Sequence, residues 1–140
     1  MSVADRVVAE IGPGLLLFLG IRYDDTNAQA DYLARKVTQL RIFPDQDGKM
    51  NRSVLEVSGE LLIVSQFTLY GDTRKGNRPS YSEAAQPPMA EQMYKYFVEV
   101  CRNKGVPVAS GIFQAHMQVR LINDGPVTLL CYSEQNMRQN

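Results

Sequence analysis

Three polar side chains that could assist ester chemistry follow an apolar run near the middle of the chain. Residues 61–64 are continuously apolar, and Ser65, Gln66 and Thr68 then break this pattern. Because strand side chains alternate, Gln66 and Thr68 are expected on one face, and Ser65 and Phe67 on the other. A buried hydroxyl or amide without a partner costs about 1–3 kcal/mol, so these groups need a partner or a ligand. From this segment alone, we favour hydrogen bonds among these side chains and the nearby backbone over a ligand-binding site.

The side chains of the familiar hydrolases are missing around these residues. His116 is the only histidine and lies in no metal-ligand spacing, so we interpret it as structural or surface-exposed. Cys101 falls on an apolar helix face, which argues against a reactive thiolate. Thr68, Gln66, Ser65 and backbone N–H groups remain, and they suit hydrolysis of an already activated ester. We expect no metal and no cofactor.

Composition limits the classes of protein that this chain can belong to. Its 140 residues are 44% hydrophobic, which predicts one globular domain spanning residues 1–140. The net charge is zero, so contact with a nucleic acid would need a local basic patch. Cys101 and Cys131 show no ligand spacing and fit a reducing compartment. With no signal peptide and no membrane-spanning run, we expect a cytoplasmic protein without a membrane partner.

Periodicity predicts the elements that must position these residues. Residues 3–11 and 15–23 are expected to form a hairpin around a turn at 12–14. Thr26 and Gln29 have capping-box spacing ahead of a helix that ends before Pro44. Pro87 and Pro88 can open a second helix. The further expectations are an end to that helix at Gly105, short strands at 53–57, 106–112, 116–122 and 127–132, and a flexible tail at 133–140. We predict an α+β fold, mainly antiparallel and barrel-like, with two helices.

Two separated motifs, taken together, change the interpretation of the polar cluster. Ser65-Gln66-Phe67-Thr68 and residues 123–128 resemble the signature motifs of the D-aminoacyl-tRNA deacylases. The resemblance continues, in family order, through residues 11–16, 41–43, 48–51, 72–76, 78–80 and 117–119. The first strand usual in that family, with an arginine near the active-site proline, has no counterpart here, so we expect it to be absent.

The resemblance implies roles for the residues of both motifs. The scissile carbonyl would lie against Ser65, Gln66 and Thr68, with the Phe67 N–H as a donor. Thr68 is either a nucleophile or a positioning group, and we favour positioning because no adjacent base activates it. A cis Gly125–Pro126 pair would reach into the partner subunit of a homodimer and exclude L side chains. The other residues expected to line the substrate pocket are Asn123, Met117 and Phe113.

The loop after the polar cluster is the expected contact for the 3′ acceptor end of an aminoacyl-tRNA. It carries Arg74, Lys75 and Arg78, for which a solvated loop is an equally good interpretation. The implied activity is removal of D-amino acids from tRNA, with glycine mischarged on tRNA-Ala as a further candidate substrate. The alternatives are a non-catalytic RNA- or nucleotide-binding module and a conventional esterase that uses Ser65, Cys101 or Cys131.

Overall fold

The computed structural model describes residues 1–133, which contain short strands and two helices. Residues 134–140 lie outside the described part, and with them all but the first residue of the predicted tail. In chain order the elements are β1 (Ser2–Val3), β2 (Arg6–Val7), β3 (Gly14–Leu19), α1 (Asn27–Gln39), β4 (Phe43–Pro44), β5 (Met50–Arg52), β6 (Glu60–Ser65), a 3-10 turn (Phe67–Tyr70), α2 (Pro87–Asn103) and β7 (Val108–Ser110).

The central sheet has three parallel strands in the order β3-β6-β7. Leu15 pairs with Leu61, and Leu61 pairs with Val108. Helix α1 lies between β3 and β6 in the chain, and α2 between β6 and β7, so each helix supplies the crossover that a parallel connection requires. The predicted hairpin of residues 3–11 with 15–23 is therefore wrong, because β3 pairs with a distant strand instead of its neighbour.

The predicted α+β class with two helices is confirmed. Antiparallel pairs of strands occur outside the parallel sheet β3-β6-β7. Such pairing is found in the ladders β1–β2 and β4–β5 and in three isolated bridges. The strand expected at residues 53–57 is a turn, because Ser53 and Glu56 hydrogen-bond each other. The Ser53 N–H donates to Glu56 Oε1 at 3.0 Å, and the Glu56 N–H donates to Ser53 Oγ at 3.2 Å.

Both faces of the central sheet are covered by apolar side chains. Leu61 and Ile63 face the two helices and belong to the larger core cluster. Leu62 and Val64 point to the opposite face, where they pack with Met1 and Met117. A strand that is buried on both sides needs a continuous apolar run, as residues 61–64 show. Because β6 is packed on both faces, the position of its last residue, Ser65, is fixed.

The two helices begin and end as the sequence predicts. The Thr26 N–H donates to Gln29 Oε1 at 2.7 Å, and the Thr26 hydroxyl donates to the same oxygen at 2.7 Å. Helix α2 begins at Pro87 and ends at Asn103, two residues before Gly105, whose φ of +94° favours glycine. Neither helix within residues 1–133 combines the length and the apolar character needed to cross a membrane.

The segment after β7 is extended but forms little sheet. Of the strands predicted at 106–112, 116–122 and 127–132, the first is present as Val108–Ser110. The second contributes one antiparallel bridge, Ser2 to Gln118, and residues 127–132 form no strand in the single chain. Large apolar side chains remain exposed there, at Ile122 (92%) and Leu130 (71%) among others.

Candidate active site

The polar cluster lies at the carboxyl end of β6, where the chain changes conformation. The Gln66 N–H donates to the Leu19 carbonyl at 2.8 Å, and the 3-10 turn begins at the next residue. The alternation of side chains predicted through Thr68 is therefore wrong beyond Ser65. The turn lies against Gly20, where an added Cβ would stand 3.1 Å from Leu69 Cβ. The hydrogen bond to Leu19 holds the turn at the end of β3, and glycine at position 20 leaves room for the close approach.

Gln66 and Thr68 contact each other despite this change of conformation. The Gln66 side-chain amide donates a hydrogen bond to the Thr68 hydroxyl oxygen. Ser65 and Gln66 are half-buried, whereas Phe67 and Thr68 are exposed. The Phe67 ring packs edge-on against Tyr81, with the ring centroids 5.0 Å apart. The Thr68 hydroxyl and the Gln66 amide thus lie at the protein surface, on a turn that is held in place by its contacts with Leu19 and Tyr81.

Two backbone donors are available beside this pair. The N–H groups of Phe67 and Thr68 open the 3-10 turn, where the first N–H groups have no acceptor within the helix. No other acceptor within residues 1–133 receives a hydrogen bond from them. Donors of this kind can bind a carbonyl oxygen and stabilise the negative charge that develops during ester hydrolysis.

Tyr94 connects β6, the strand that carries the cluster, to the loop that carries Phe113. Its buried hydroxyl donates to the Ile63 carbonyl at 2.6 Å and accepts from the Gly111 N–H at 3.0 Å. Burial raises the pKa of Tyr94, so the hydroxyl stays protonated and able to donate. The Tyr94 ring also contacts Phe113, with the centroids 6.2 Å apart. One side chain therefore joins the strand that carries Ser65 to the loop that carries Phe113.

Replacing Tyr94 by phenylalanine keeps the ring packing and removes the hydroxyl, while the Gly111 N–H still donates to the Ile63 carbonyl at 3.1 Å. Because both backbone groups keep this bond, we expect a loss of about 0.5–1.5 kcal/mol in the free energy of unfolding. Urea denaturation measures this loss, and Tyr96→Phe is the matched control because the half-buried Tyr96 hydroxyl donates to Asp31 at the helix surface and to no backbone group within residues 1–133. Equal stability of the Tyr94→Phe and wild-type proteins would contradict the bridging role.

Met117 and Phe113 lie on opposite sides of the sheet packing. Phe113 packs against the larger core cluster, and Met117 packs with Met1 beneath β6. Met117 Sδ stands 2.9 Å from the position of a Cβ added to Gly111. The loop between β7 and residue 118 therefore carries both predicted pocket residues, each of them half-buried.

The second motif forms an exposed turn that its own side chains hold together. Asn123 Nδ2 donates to Thr128 Oγ1 at 2.8 Å, and the Val127 N–H donates to Asn123 Oδ1 at 3.0 Å. The Gly125–Pro126 peptide bond is cis, as predicted. Gly125 has a φ of +152°, and an added Cβ would stand 3.0 Å from the Val127 nitrogen. Within residues 1–133 of one chain, no hydrogen bond joins this turn to residues 65–68.

The predicted basic loop closes directly after the 3-10 turn. Asp72 and Ser80 exchange two backbone hydrogen bonds at 2.7 and 2.9 Å, which brings the loop ends together. Arg74 Nε and Nη2 donate to the Asp72 carboxylate at 2.9 and 2.8 Å. Lys75 and Arg78 are exposed and form no salt bridge within the described residues. Arg74 is thus committed to shaping the loop, and the other two cations are free for an anion.

The ion pair predicts an acid-sensitive loop. Hydrogen bonds from the Arg74 side chain, and then from its N–H, lower the pKa of Asp72 to about 2 from its ordinary 3.8. The pair is fully formed above the ordinary value and is lost as the pH falls through about 2. A carboxyl-carbon NMR titration of Asp72 should give that midpoint, and Arg74→Ala should raise it. Identical midpoints in the two proteins would contradict the pairing.

Sequence reasoning missed three residues that hold the site together. Tyr81 packs on Phe67, Tyr94 joins β6 to the Phe113 loop, and Thr128 ties the second turn. Thr128 is part of the second motif, so the motif itself could have indicated it. Nothing in the local sequence around the two tyrosines distinguishes them from ordinary helix or loop aromatics.

The described residues contain no group of three or more side chains of the types that hold metal ions. Cys101 is buried, and burial raises the pKa of its thiol to about 11, so it stays protonated. His116 is exposed and is not hydrogen-bonded to Ser65 within residues 1–133. The arrangement that a conventional serine or cysteine esterase requires is therefore not formed by these residues.

Comparison with known proteins identifies relatives over nearly the whole chain. The model of the family described as D-Tyr-tRNA(Tyr) deacylase matches residues 1–132. A D-aminoacyl-tRNA deacylase of Thermosipho africanus (strain TCF52B) is 55% identical over 96% of this chain and 91% of its own. One of Desulfotalea psychrophila (strain LSv54 / DSM 12343) is 53% identical over the same shares.

Two solved structures resemble the fold. The c-Myc DNA unwinding element binding protein superposes with a TM-score of 0.87 at 39% identity, over 91% of this chain and 87% of its own. A probable eukaryotic D-amino acid tRNA deacylase superposes with a TM-score of 0.67 at 19% identity, over 79% and 80%. The second likeness, at this identity, concerns the fold alone.

Proposed function

This chain belongs to the D-Tyr-tRNA(Tyr) deacylase family, and from this membership we propose that the cluster at the end of β6 is its catalytic site. The protein is a D-aminoacyl-tRNA deacylase, a hydrolase that acts on the ester bond between a D-amino acid and tRNA. The single observation that carries the site assignment is the Gln66–Thr68 hydrogen bond, which lies beside two N–H donors that have no acceptor among residues 1–133.

Each group in the cluster has a defined task in this reaction. The Phe67 N–H, with the neighbouring Thr68 N–H, binds the ester carbonyl and stabilises its oxyanion. Thr68 accepts a hydrogen bond from Gln66, so its hydroxyl proton is free to point at the substrate or at the attacking water. No base contacts Thr68 within residues 1–133, which favours positioning over nucleophilic attack. Ser65 ends the strand and fixes the start of the turn.

The protein acts as a homodimer in which each Gly125–Pro126 turn enters the partner's site. Two features support this proposal. The turn is exposed and is held by hydrogen bonds of Asn123 and Thr128, yet no hydrogen bond within residues 1–133 joins it to residues 65–68 of its own chain. The neighbouring segment exposes Ile122 and Leu130, an apolar surface that a second copy would cover. Backbone carbonyls of the turn then occupy the space that an L side chain needs.

Replacing Leu130 by aspartate should weaken the dimer. Leu130 is 71% exposed in one chain, and its transfer out of water contributes about 1.5–3 kcal/mol if a partner covers it. We therefore expect the dissociation constant to rise roughly tenfold or more. Sedimentation across a concentration series measures this change, with Met50→Asp as the control at a 58% exposed apolar residue outside the segment. A Leu130→Asp protein as dimeric as the control would refute this interface.

The remaining pocket and loop residues support the same reaction. Met117 and Phe113 line the aminoacyl or adenosine end of the pocket, and Lys75 and Arg78 contact phosphates at the 3′ end of the tRNA. Glycine carries no side chain for the filter to reject, so glycyl-tRNA-Ala is a further candidate substrate. Because its substrate is used in translation, the protein acts in the cytoplasm.

Incubation of the purified protein with D-tyrosyl-tRNA and L-tyrosyl-tRNA tests this function. We expect cleavage of the D-ester and survival of the L-ester. The rate should be unchanged by a chelator and by thiol alkylation, because the proposed chemistry uses neither a metal nor Cys131. Loss of activity with the chelator, restored by zinc, would contradict this mechanism.

A nucleic-acid-binding module without catalytic activity is the second candidate function. The solved relative at 39% identity is called a DNA unwinding element binding protein, and this name is the observation that favours the second candidate. Tight binding of nucleic acid together with cleavage of neither aminoacyl ester would support this function over hydrolysis.

A further inference from the structure

Helix α1 and the residues after it carry a basic surface that the proposed catalytic site does not use. Arg35, Lys36 and Arg41 are exposed and, with Tyr32, border a shallow surface depression. We refer to these four residues as the α1 basic patch. It belongs neither to the Arg74–Arg78 loop nor to the exposed apolar segment at residues 119–130.

Within residues 1–133, no ion pair neutralises the charge of this patch. No acidic residue occurs between Asp31 and Asp45, although the whole chain has a net charge of zero. None of the three cations forms a salt bridge within residues 1–133. Arg41 does influence Glu56, but that carboxylate is held mainly by Ser53. The field of the patch is therefore available to an external anion.

The aromatic ring orders two of these cations. Arg35 Cζ and Lys36 Nζ each lie 5.7 Å from the centroid of the Tyr32 ring. Contacts of this kind restrict long side chains before a ligand arrives, which reduces the entropy lost on binding. A patch of fixed cations around a partly exposed ring suits a polyanion with phosphates and sugars along its length.

The position of the patch relates it to the site. Gln29 and Ala30, in the N-terminal half of α1, line the same cavity as Tyr70, two residues beyond Thr68. Lys36 lies six residues further along the helix than Ala30, about 9 Å at the rise of an α-helix. The helical residues of the patch therefore lie less than two turns further along the helix whose N-terminal half shares a cavity with Tyr70.

We propose that the α1 basic patch binds the phosphate backbone of the tRNA acceptor stem, away from the aminoacylated 3′ end. The inference rests on the proposed function for the identity of the ligand. It divides the interaction into two parts: Lys75 and Arg78 contact the terminal nucleotides, and the patch contacts the double-stranded part. The patch then contributes affinity for tRNA without taking part in ester hydrolysis.

The test compares a triple variant, Arg35→Ala, Lys36→Ala, Arg41→Ala, with a control that removes the same charge from α2. The control is Lys95→Ala, Arg102→Ala, Lys104→Ala, three exposed residues of which Lys95 lies in the middle of α2, Arg102 in its last turn and Lys104 at its C-cap. Fluorescence anisotropy measures binding of uncharged tRNA over a series of salt concentrations. Hydrolysis is measured on full-length D-tyrosyl-tRNA and on the D-tyrosyl ester of a short 3′-terminal oligonucleotide.

We expect the patch variant to bind tRNA roughly tenfold more weakly and to lose about three units of salt slope, one for each cation. Its hydrolysis of the short ester should stay within twofold of wild type. Arg35→Lys with Arg41→Lys keeps the charge and should retain most of the affinity. The control should differ little from wild type in any assay.

Two results would contradict the proposal that the α1 basic patch binds tRNA. One is a patch variant with the same affinity and salt slope as the α2 control, and the other is an equal loss of activity on the short and the full-length substrates. Failure of the wild-type protein to cleave either ester would overturn only the proposed function, because the anisotropy titration uses uncharged tRNA and decides the patch independently.

Discussion

Replacement of Thr68 by valine is expected to slow hydrolysis of D-tyrosyl-tRNA roughly 100-fold, the size of effect seen when one group that stabilises a transition state is removed. Valine keeps the shape of threonine but removes the hydroxyl, so the Gln66 amide loses its acceptor and the substrate loses a positioning group. Because the change affects the transition state more than substrate binding, kcat should fall with little change in KM.

Thr73→Val is the matched control for this prediction. Thr73 is exposed in the loop five residues later, and the same change of side chain there should leave the rate within twofold of wild type. Single-turnover hydrolysis, with thermal unfolding to confirm the fold, measures both variants. A Thr68→Val protein with the wild-type rate would remove Thr68 from the reaction.

Replacement of Gly125 by alanine is expected to relax the rejection of L-tyrosyl-tRNA roughly 10- to 100-fold. The φ of +152° is a conformation that L side chains rarely adopt, and the new Cβ would stand 3.0 Å from both the Val127 nitrogen and Val127 Cγ2. The turn must shift, and the backbone groups proposed to block an L side chain shift with it. A loss of about 1.4 kcal/mol already gives a tenfold change.

Gly12→Ala provides the control for the turn. An added Cβ at Gly12 meets nothing within 4 Å, so the substitution should change neither the L-to-D ratio nor stability by a measurable amount. The ratio of rates on L- and D-tyrosyl-tRNA is the quantity to compare. If Gly125→Ala rejects the L-ester as strongly as wild type, the turn is not the chiral filter.

The parts of the fold that could be predicted from sequence depend on local signals. The Thr26–Gln29 spacing marked the start of α1, and Pro87 marked the start of α2, because capping and proline effects act within one turn of helix. The apolar run at residues 61–64 indicated a strand covered on both faces. The same reasoning applies to residues 15–19, although their pairing partner was assigned wrongly.

The errors come from pairing partners that are distant in sequence. A glycine-proline turn between two apolar segments predicts a hairpin. In the structure β3 pairs with β6 instead, and helix α1 packs on the sheet that the two strands form, which buries their apolar side chains. Residues 127–132 have the composition of a strand but pair with no strand within residues 1–133. Local propensity cannot specify which partner a strand meets, and the apolar surface of this segment is proposed to be covered by a second copy.

The sequence identified residues of the candidate site but not the backbone conformation that brings them together. The motif resemblance named Gln66 and Thr68, and the structure brings them into contact through a 3-10 turn where a strand was expected. Tyr94 could not be recognised in the same way, because its two hydrogen bonds reach residues 31 and 17 positions away. Contacts of this range follow from the fold and leave no local pattern.

The central claim is that one chain supplies Thr68 and the other supplies Gly125 to each site, and a mixed dimer tests it most directly. A dimer of one Thr68→Val chain and one Gly125→Ala chain, isolated with two different affinity tags, has one site with both changes and one with neither if the turn crosses to the partner. Such a dimer should cleave D-tyrosyl-tRNA at about half the wild-type rate, since one of two sites is intact, and should reject the L-ester as wild type does. If each turn instead lies at the site of its own chain, the site that keeps Thr68 also contains the Gly125→Ala turn. The mixed dimer would then cleave L-tyrosyl-tRNA at half the rate of the Gly125→Ala dimer, and this result would contradict the shared site.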